Sequence, residues 1–326
     1  FFFLWYILHI MIIGVPTEVK NNENRVGLTP YSVKKIVDSG HDVLIQNNAG
    51  ANIGFFNDQY QNAGAKIIDS AEEVYKSSEM VVKVKEPIPE EYNFLNSDLT
   101  LFTYLHLAGD PENAKKLIDT GVTGIAYETV TSSDGSMPLL APMSTIAGQL
   151  AFVVGSYHLL KHNKGKGVMI GHMDDMDPRV VTVIGAGVAG TQSILKAIDN
   201  KALVKVVDSS QSKLDDLKSK YGTENVEYIL SSKDSIQVSV NESDLVIGSV
   251  YVVGKEAPKV VTKDMLSSMN PGSVMVDVSI DQGGCFETSK PTTHDCPTFL
   301  ENDIVHYCVT NMPGAVPLTA TEALNK

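Results

Sequence analysis

Continuous apolar runs recur along the chain and alternate with segments whose apolar positions repeat every three or four residues. The first run, Met11–Val15, leads through a polar loop to Thr29-Pro30, a side-chain cap followed by proline at the first helical position. The helix carries Val33, Ile36 and Val37 on one face, ends near Gly40, and is followed by a strand at Val43–Ile45. Runs at Met80–Val84, Leu99–Tyr104 and Thr123–Tyr127 extend this into a first α/β sheet. A long helix is predicted from Ser144 to His162, with Ile146, Leu150, Val153, Val154 and Tyr157 as its apolar side. Beyond it, Val180–Ile184 and Leu203–Val207 read as buried parallel strands flanking a helix from Val188 to about Asp199. Further strands are expected near Val226–Ile229, Leu245–Ile247 and Ser273–Val278, with Ile304–Val309 as the last.

The turn between the strand at Val180–Ile184 and its helix is Gly185-Ala-Gly187-Val-Ala-Gly190, and the second strand ends in Asp208. Strand, Gly-x-Gly-x-x-Gly turn, helix, strand and terminal acid form the context in which such glycines bind a dinucleotide. The first glycine permits the turn, the second admits a pyrophosphate, and the third lets helix pack on strand. The helix start offers N–H groups and a positive dipole end to the phosphates. An acid at Asp208 accepts ribose hydroxyls and repels a 2′-phosphate, which favours NAD over NADP.

Bulk properties narrow the field. At 326 residues the chain has room for about two domains. Its 26 basic and 39 acidic residues give a net charge of −13, which argues against nucleic-acid or anionic-membrane partners. Cys285, Cys296 and Cys308 lack metal or redox spacing and read as free thiols in a reducing cytoplasm, with no metal site expected. The acidic stretch 171–178 reads as a solvated loop. Phe1–Ile10 is almost wholly apolar but lacks a basic start or a cleavage site, so Met11 is the expected start and residues 1–10 an upstream extension. The minority reading is a short membrane-interface segment.

Ligands of open parallel sheets bind outside the carboxyl ends of the strands. In the first sheet Arg25, Lys85 and His106 hold such positions, and together they suit a small substrate with a carboxylate and a reactive carbonyl or amine. Taken singly, Arg25 and Lys85 also read as surface charges and His106 as a hydrogen-bonded core residue. Asp281, after the strand at Ser273–Val278, is a candidate for acid–base work beside the nicotinamide, or else a turn cap.

With these residues in place, the chain resembles the alanine dehydrogenase family, a group shared with the soluble subunit of proton-translocating transhydrogenase. The resemblance runs from Met11 to about Leu324 through GVPTEVKNNENRVGLTP, VVKVKEPIPEEY, LFTYLHLA, AYETV, LLAPMSTIAGQ, VTVIGAGVAGT, VDVSIDQGGCFE, KPTTHD and NMPGAVP. It implies reversible, NAD-dependent oxidative deamination of L-alanine to pyruvate and ammonium, in a homohexamer. It implies two Rossmann-like doubly wound domains, with the cofactor domain inserted in a discontinuous substrate domain. The expected division is residues 11–138 for substrate, 139–308 for NAD and 309–326 returning to the substrate domain. Carried over by motif, Arg25 and Lys85 bind substrate, while His106 and Asp281 move protons. Ser144, Gly185, Gly187, Val188, Ala189, Gly190, Asp208, Lys213, Ser231, Val250, Tyr251, Val278, Ser279, Ile280, Asp281, Val309, Thr310, Asn311 and Met312 are implied for the cofactor. The sequence departs from the family pattern at Leu318, where arginine is usual, and in the acidic loop before the glycine turn. Family members continue for some tens of residues past the point matching Lys326, so the chain as written is expected to be less stable than a longer relative. The rival readings are a transhydrogenase-like nucleotide-binding subunit and an inactive NAD-binding protein.

Overall fold

The computed structural model describes residues 10–107, 111–171, 173–252 and 256–326. The expectation for residues 1–9 lies outside that range. The chain forms two compact units. The first comprises the residues up to Pro142 together with Val316–Lys326, and the second is Met143–Ala315. The changes of unit fall later than the 139 and 309 expected from the sequence. The segment from Val309 to Ala315 stays with the second unit, and only the final helix belongs to the first.

In the first unit, β1 (Ile12–Val15), α1 (Pro30–Asp38), β2 (Asp42–Gln46), α2 (Asn57–Asn62), β3 (Lys66–Ile68), α3 (Ala71–Ser77), β4 (Met80–Val82), β5 (Thr100–Thr103), α4 (Pro111–Thr120) and β6 (Thr123–Ala126) follow one another. The strands are parallel in the order β3-β2-β1-β4-β5-β6, so the direction of winding reverses between β1 and β4. That reversal opens a crevice at the carboxyl ends of those strands. Helix α1 starts as its sequence dictates, with the Thr29 hydroxyl accepting the Ser32 N–H at 3.2 Å and Pro30 at the first position. Val81, Leu99, Leu101, Leu105 and Leu117 pack into one core beneath the β4–β5 side.

Helix α5 (Ala141–His158) leads into the second unit. Its buried face is Ile146, Ala147, Gly148, Ala151, Phe152 and Gly155, whereas Val153 and Tyr157, expected on the apolar side, are each 52% exposed. Small residues dictate this choice. A Cβ on Gly148 would lie 2.0 Å from the Ala189 carbonyl oxygen, and one on Gly155 would lie 2.5 Å from Leu245 Cδ1. Close backbone approach at those glycines brings α5 onto its neighbours and leaves Val153 and Tyr157 on the outer side.

The second unit continues with β7 (Val180–Ile184), α6 (Val188–Asp199), β8 (Leu203–Asp208), α7 (Gln211–Tyr221), β9 (Val226–Leu230), α8 (Lys233–Glu242), β10 (Leu245–Gly248), β11 (Val274–Asp277), β12 (Thr298–Glu301) and β13 (Ile304–Tyr307). The order is β12-β13-β11-β10-β7-β8-β9, all parallel except β12. Strand β12 was not foreseen. It pairs with β13 through a two-residue turn, Asn302-Asp303, with φ of 50° and 59°. Both values lie in the left-handed region, as a type I′ hairpin requires. Winding reverses between β7 and β10, so the glycine turn stands at a second switch point.

The chain ends in α9 (Pro317–Leu324), which belongs to the first unit. The Thr321 hydroxyl accepts the Val26 N–H at 3.3 Å, and Asn325 Oδ1 accepts the Thr29 N–H at 2.9 Å. Asn325 also donates to the Gly27 carbonyl at 3.2 Å. The return helix therefore braces the loop that carries Arg25. Among the described residues no helix is long and apolar enough to cross a membrane.

Candidate active site

Arg25, Lys85 and His106 follow β1, β4 and β5, three neighbouring strands of the first sheet. Each is held by a carboxylate that sequence reasoning did not single out. Arg25 is 3% exposed, and its Nε and Nη2 donate to Glu23 at 2.7 and 2.6 Å. Burial alone would weaken the guanidinium's hold on its proton, but the bonds and charge of Glu23 outweigh it and raise its pKa.

Lys85 stands 3.4 Å from a carboxylate oxygen of Glu86, whose other oxygen takes Lys20. Glu18, buried beneath, accepts the N–H of Val84 at 2.6 Å and of Lys85 at 3.4 Å. Its second oxygen lies 3.7 Å from the buried Lys83 ammonium, which also pairs with Glu91. Burial pushes the Glu18 carboxyl up against the opposing pull of Lys83 and the Val84 N–H.

His106 adopts φ +49°, a left-handed value uncommon for residues other than glycine. Glu128, just past β6, accepts the His106 N–H at 2.7 Å and the Leu105 N–H at 3.2 Å. The His106 ring stacks on Tyr104 at 5.9 Å between centroids, and Tyr104 stands edge-on to Tyr127 at 5.0 Å.

Glu86 links the cluster. Burial raises its pKa, but Lys85, His106 and Lys20 together hold it below the ordinary 4.5. A carboxylate lowered on folding contributes stability that is fully present above its ordinary value and lost as pH falls through the lowered one. The Glu86→Gln variant should therefore lose less stability than the parent across that acid window, as denaturant melts at successive pH values would record. An equally steep acid loss in both proteins would contradict it.

In the second unit, Gly185 turns the chain at φ +99°, and its N–H donates to the Val207 carbonyl at 2.8 Å. A Cβ on Gly190 would lie 1.8 Å from the Gly185 carbonyl oxygen, so only glycine lets α6 start this close to β7. Gly187 differs: its φ is −76°, and no atom outside its neighbours lies within 4 Å of where a Cβ would stand. The fold does not require glycine there, whereas a pyrophosphate approaching the main chain does. Gly187 caps α6 without a side-chain hydrogen bond, which suits phosphate binding by the helix start.

Asp208 Oδ2 accepts the Ala186 N–H at 2.7 Å and Oδ1 the Ser210 N–H at 2.8 Å, so this acid also ties down the glycine turn. Each carboxylate oxygen has a second lone pair for a ribose hydroxyl. Ser231, Val250, Tyr251 and the 278–281 segment follow β9, β10 and β11 at the same edge of the sheet. Ser144 lies one turn before Gly148 on α5, and Lys213 is exposed in the first turn of α7.

Asp281 is exposed on its loop. Asp277, fully buried, organises that loop by accepting from the N–H groups of Ser279 and Cys285 at 3.0 and 2.8 Å and from the Ser289 hydroxyl. The Val309 and Met312 side chains lie in the unit's core, 0% and 4% exposed, and offer little surface to a ligand. Thr310 and Asn311 between them are only half-buried.

A dinucleotide turn with open space at its middle glycine, and a separate switch point lined with cations and an imidazole, define a nicotinamide-dependent oxidoreductase. Comparison with known proteins narrows the class. The Alanine dehydrogenase/PNT models match residues 14–147 for the N-terminal domain and 151–326 for the C-terminal domain, and the chain belongs to that family. It is 48% identical to alanine dehydrogenase of Halomonas elongata over 314 residues, 96% of this chain and 84% of that one. With alanine dehydrogenase of Bacillus subtilis it shares 48% identity over 315 residues, 96% and 82% of the two chains. Among solved structures, an L-alanine dehydrogenase superposes with a TM-score of 0.91 at 46% identity, covering 96% of this chain and 86% of that one. A transhydrogenase from Sinorhizobium meliloti shares the fold, with a TM-score of 0.83 at 24% identity, covering 96% and 90%.

Proposed function

We propose that this chain interconverts L-alanine and pyruvate with NAD: L-alanine, NAD and water give pyruvate, ammonium, NADH and a proton. The observation that carries the reading is the placement of Arg25, Lys85 and His106 after the neighbouring strands β1, β4 and β5, with Arg25 buried on Glu23 and the Lys85 ammonium 3.4 Å from Glu86. NAD supplies, when bound, a hydride acceptor, held by the Gly185–Gly190 turn and Asp208. Arg25 holds the substrate carboxylate by charge and hydrogen bonds, with Glu23 fixing the guanidinium in place. Lys85 hydrogen-bonds the oxygen that becomes the pyruvate carbonyl and stabilises charge developing there. His106 takes the proton from the water that adds to the substrate carbon, and Asp281 exchanges protons with the departing nitrogen. Asp208 sets NAD above NADP, since a 2′-phosphate would meet its negative charge. Homohexameric assembly and a cytoplasmic setting complete the proposal, as the family resemblance implies.

Purified protein supplied with ammonium and a panel of 2-oxo acids tests it. NADH oxidation should be fastest with pyruvate and much slower when NADPH replaces NADH. Silence with every acid, or equal rates with both nucleotides, would contradict the proposal.

A further inference from the structure

His106 carries a positive φ, uncommon for residues other than glycine, at the point where the proposed chemistry needs an imidazole. Such a conformation persists only when its surroundings over-determine it. Glu128 meets the main chain here. The N–H groups of Leu105 and His106 both point to Glu128, at 3.2 and 3.3 Å from its two oxygens for Leu105 and 2.7 Å for His106. Successive N–H groups converging on one anion make a concave nest, and a carboxylate is a strong acceptor for it. We propose that Glu128 is the positioning residue for His106, fixing the turn after β5 in the left-handed conformation that presents the imidazole to the substrate.

The ring itself is steered by Tyr104, which stacks on it while donating to the Leu139 carbonyl. Tyr104 thus limits the tilt of the imidazole, whereas Glu128 sets where its Cα stands. The same device recurs across the crevice, where Glu18 grips the N–H groups of Val84 and Lys85. In both cases a carboxylate from the loop after one strand holds the main chain at the end of its neighbour. The inference rests on the reading of His106 as the proton-exchanging group, and its test separates the two.

Steady-state reductive amination of pyruvate is measured across the neutral pH range for the parent, His106→Asn, Glu128→Ala and Glu128→Gln. NADH affinity is measured beside it by fluorescence. The expected result for Glu128→Ala is a kcat lowered about 10²-fold, the cost of misplacing a reacting group by an ångström or so. Its NADH affinity should match the parent, and its pH profile should lose the same neutral-range limb that His106→Asn loses. Glu128→Gln keeps an accepting oxygen and should recover to within about tenfold of the parent, a neutral acceptor replacing a charged one. A Glu128→Ala profile with the parent's shape, at whatever height, would overturn the proposal, because a general folding defect scales the curve without reshaping it. If Glu128→Ala does not fold, Glu128→Asp decides: its shorter side chain falls short of both N–H groups, so an unchanged profile and rate overturns the proposal. Full activity in His106→Asn would instead remove His106 from the reaction, and the role of Glu128 with it.

Discussion

His106→Asn and Lys85→Ala should each lower kcat/KM for pyruvate by about 10²–10⁴-fold, the usual contribution of a positioned proton-transferring or charge-stabilising group. Asparagine is chosen at 106 because it tolerates the left-handed backbone, so the turn held by Glu128 survives while the titrating ring is lost. Lys85 is only partly buried, and its partner Glu86 retains Lys20, so its truncation leaves no carboxylate without a cation. Both variants should therefore melt within a few degrees of the parent, a shift of about 1 kcal/mol or less. The losses should also differ in kind. Lys85 acts on substrate and developing oxygen alike, so pyruvate KM should rise as kcat falls, whereas His106→Asn should act mainly on kcat. Turnover near the parent level in either variant would remove that residue from the chemistry.

Gly187→Ala and Gly190→Ala should separate what the glycine turn does for the cofactor from what it does for the fold. At Gly190 the added methyl meets the Gly185 carbonyl oxygen at 1.8 Å and Ser249 Oγ at 2.6 Å, so α6 must move off β7. Overpacking of this kind costs about 1–3 kcal/mol, and the displaced turn should bind NADH poorly as well. At Gly187 the methyl enters open space in a conformation that alanine adopts freely. Alanine is a poorer helix cap than glycine, but it also restricts the unfolded chain, and the two effects are each within about 1 kcal/mol and opposed. Stability should therefore hold while NADH affinity falls about tenfold or more, about 1.4 kcal/mol, because the methyl stands where the pyrophosphate must approach. Calorimetry with fluorescence titration reads both quantities. Unchanged NADH affinity in Gly187→Ala would show that the cofactor does not use this turn.

Much of the architecture was legible because it obeys local rules. Helix α6 spans the predicted Val188–Asp199, since a glycine turn and two unbroken apolar strands leave little freedom in between. The cap at Thr29 was readable for the same reason. What escaped depends on partners far away in sequence. Glu18 binds the main chain 66 residues on and Glu128 reaches back 22, and nothing in periodicity marks an acid whose partners are peptide N–H groups on another strand. Adjacency was a partial signal: Glu18 and Glu23 share a motif string with Arg25, and Glu86 with Lys85, whereas Glu128 stands in AYETV, apart from the LFTYLHLA that carries His106. On α5 the apolar pattern points to Val153 and Tyr157 as well as Ile146, whereas Gly148 and Gly155 create the contact by being small and turn those two outward. The burial of Val309 and Met312 likewise comes from tertiary packing and is not marked in their motif.

The central claim is that hydride passes between a nicotinamide and the Cα of alanine. The most direct test supplies pyruvate, ammonium and NADH deuterated at the transferable C4 position, and follows the deuterium by NMR. The prediction is L-alanine labelled at Cα. Deuterium recovered in lactate, in a second nicotinamide nucleotide, or only in unreacted NADH would contradict the account.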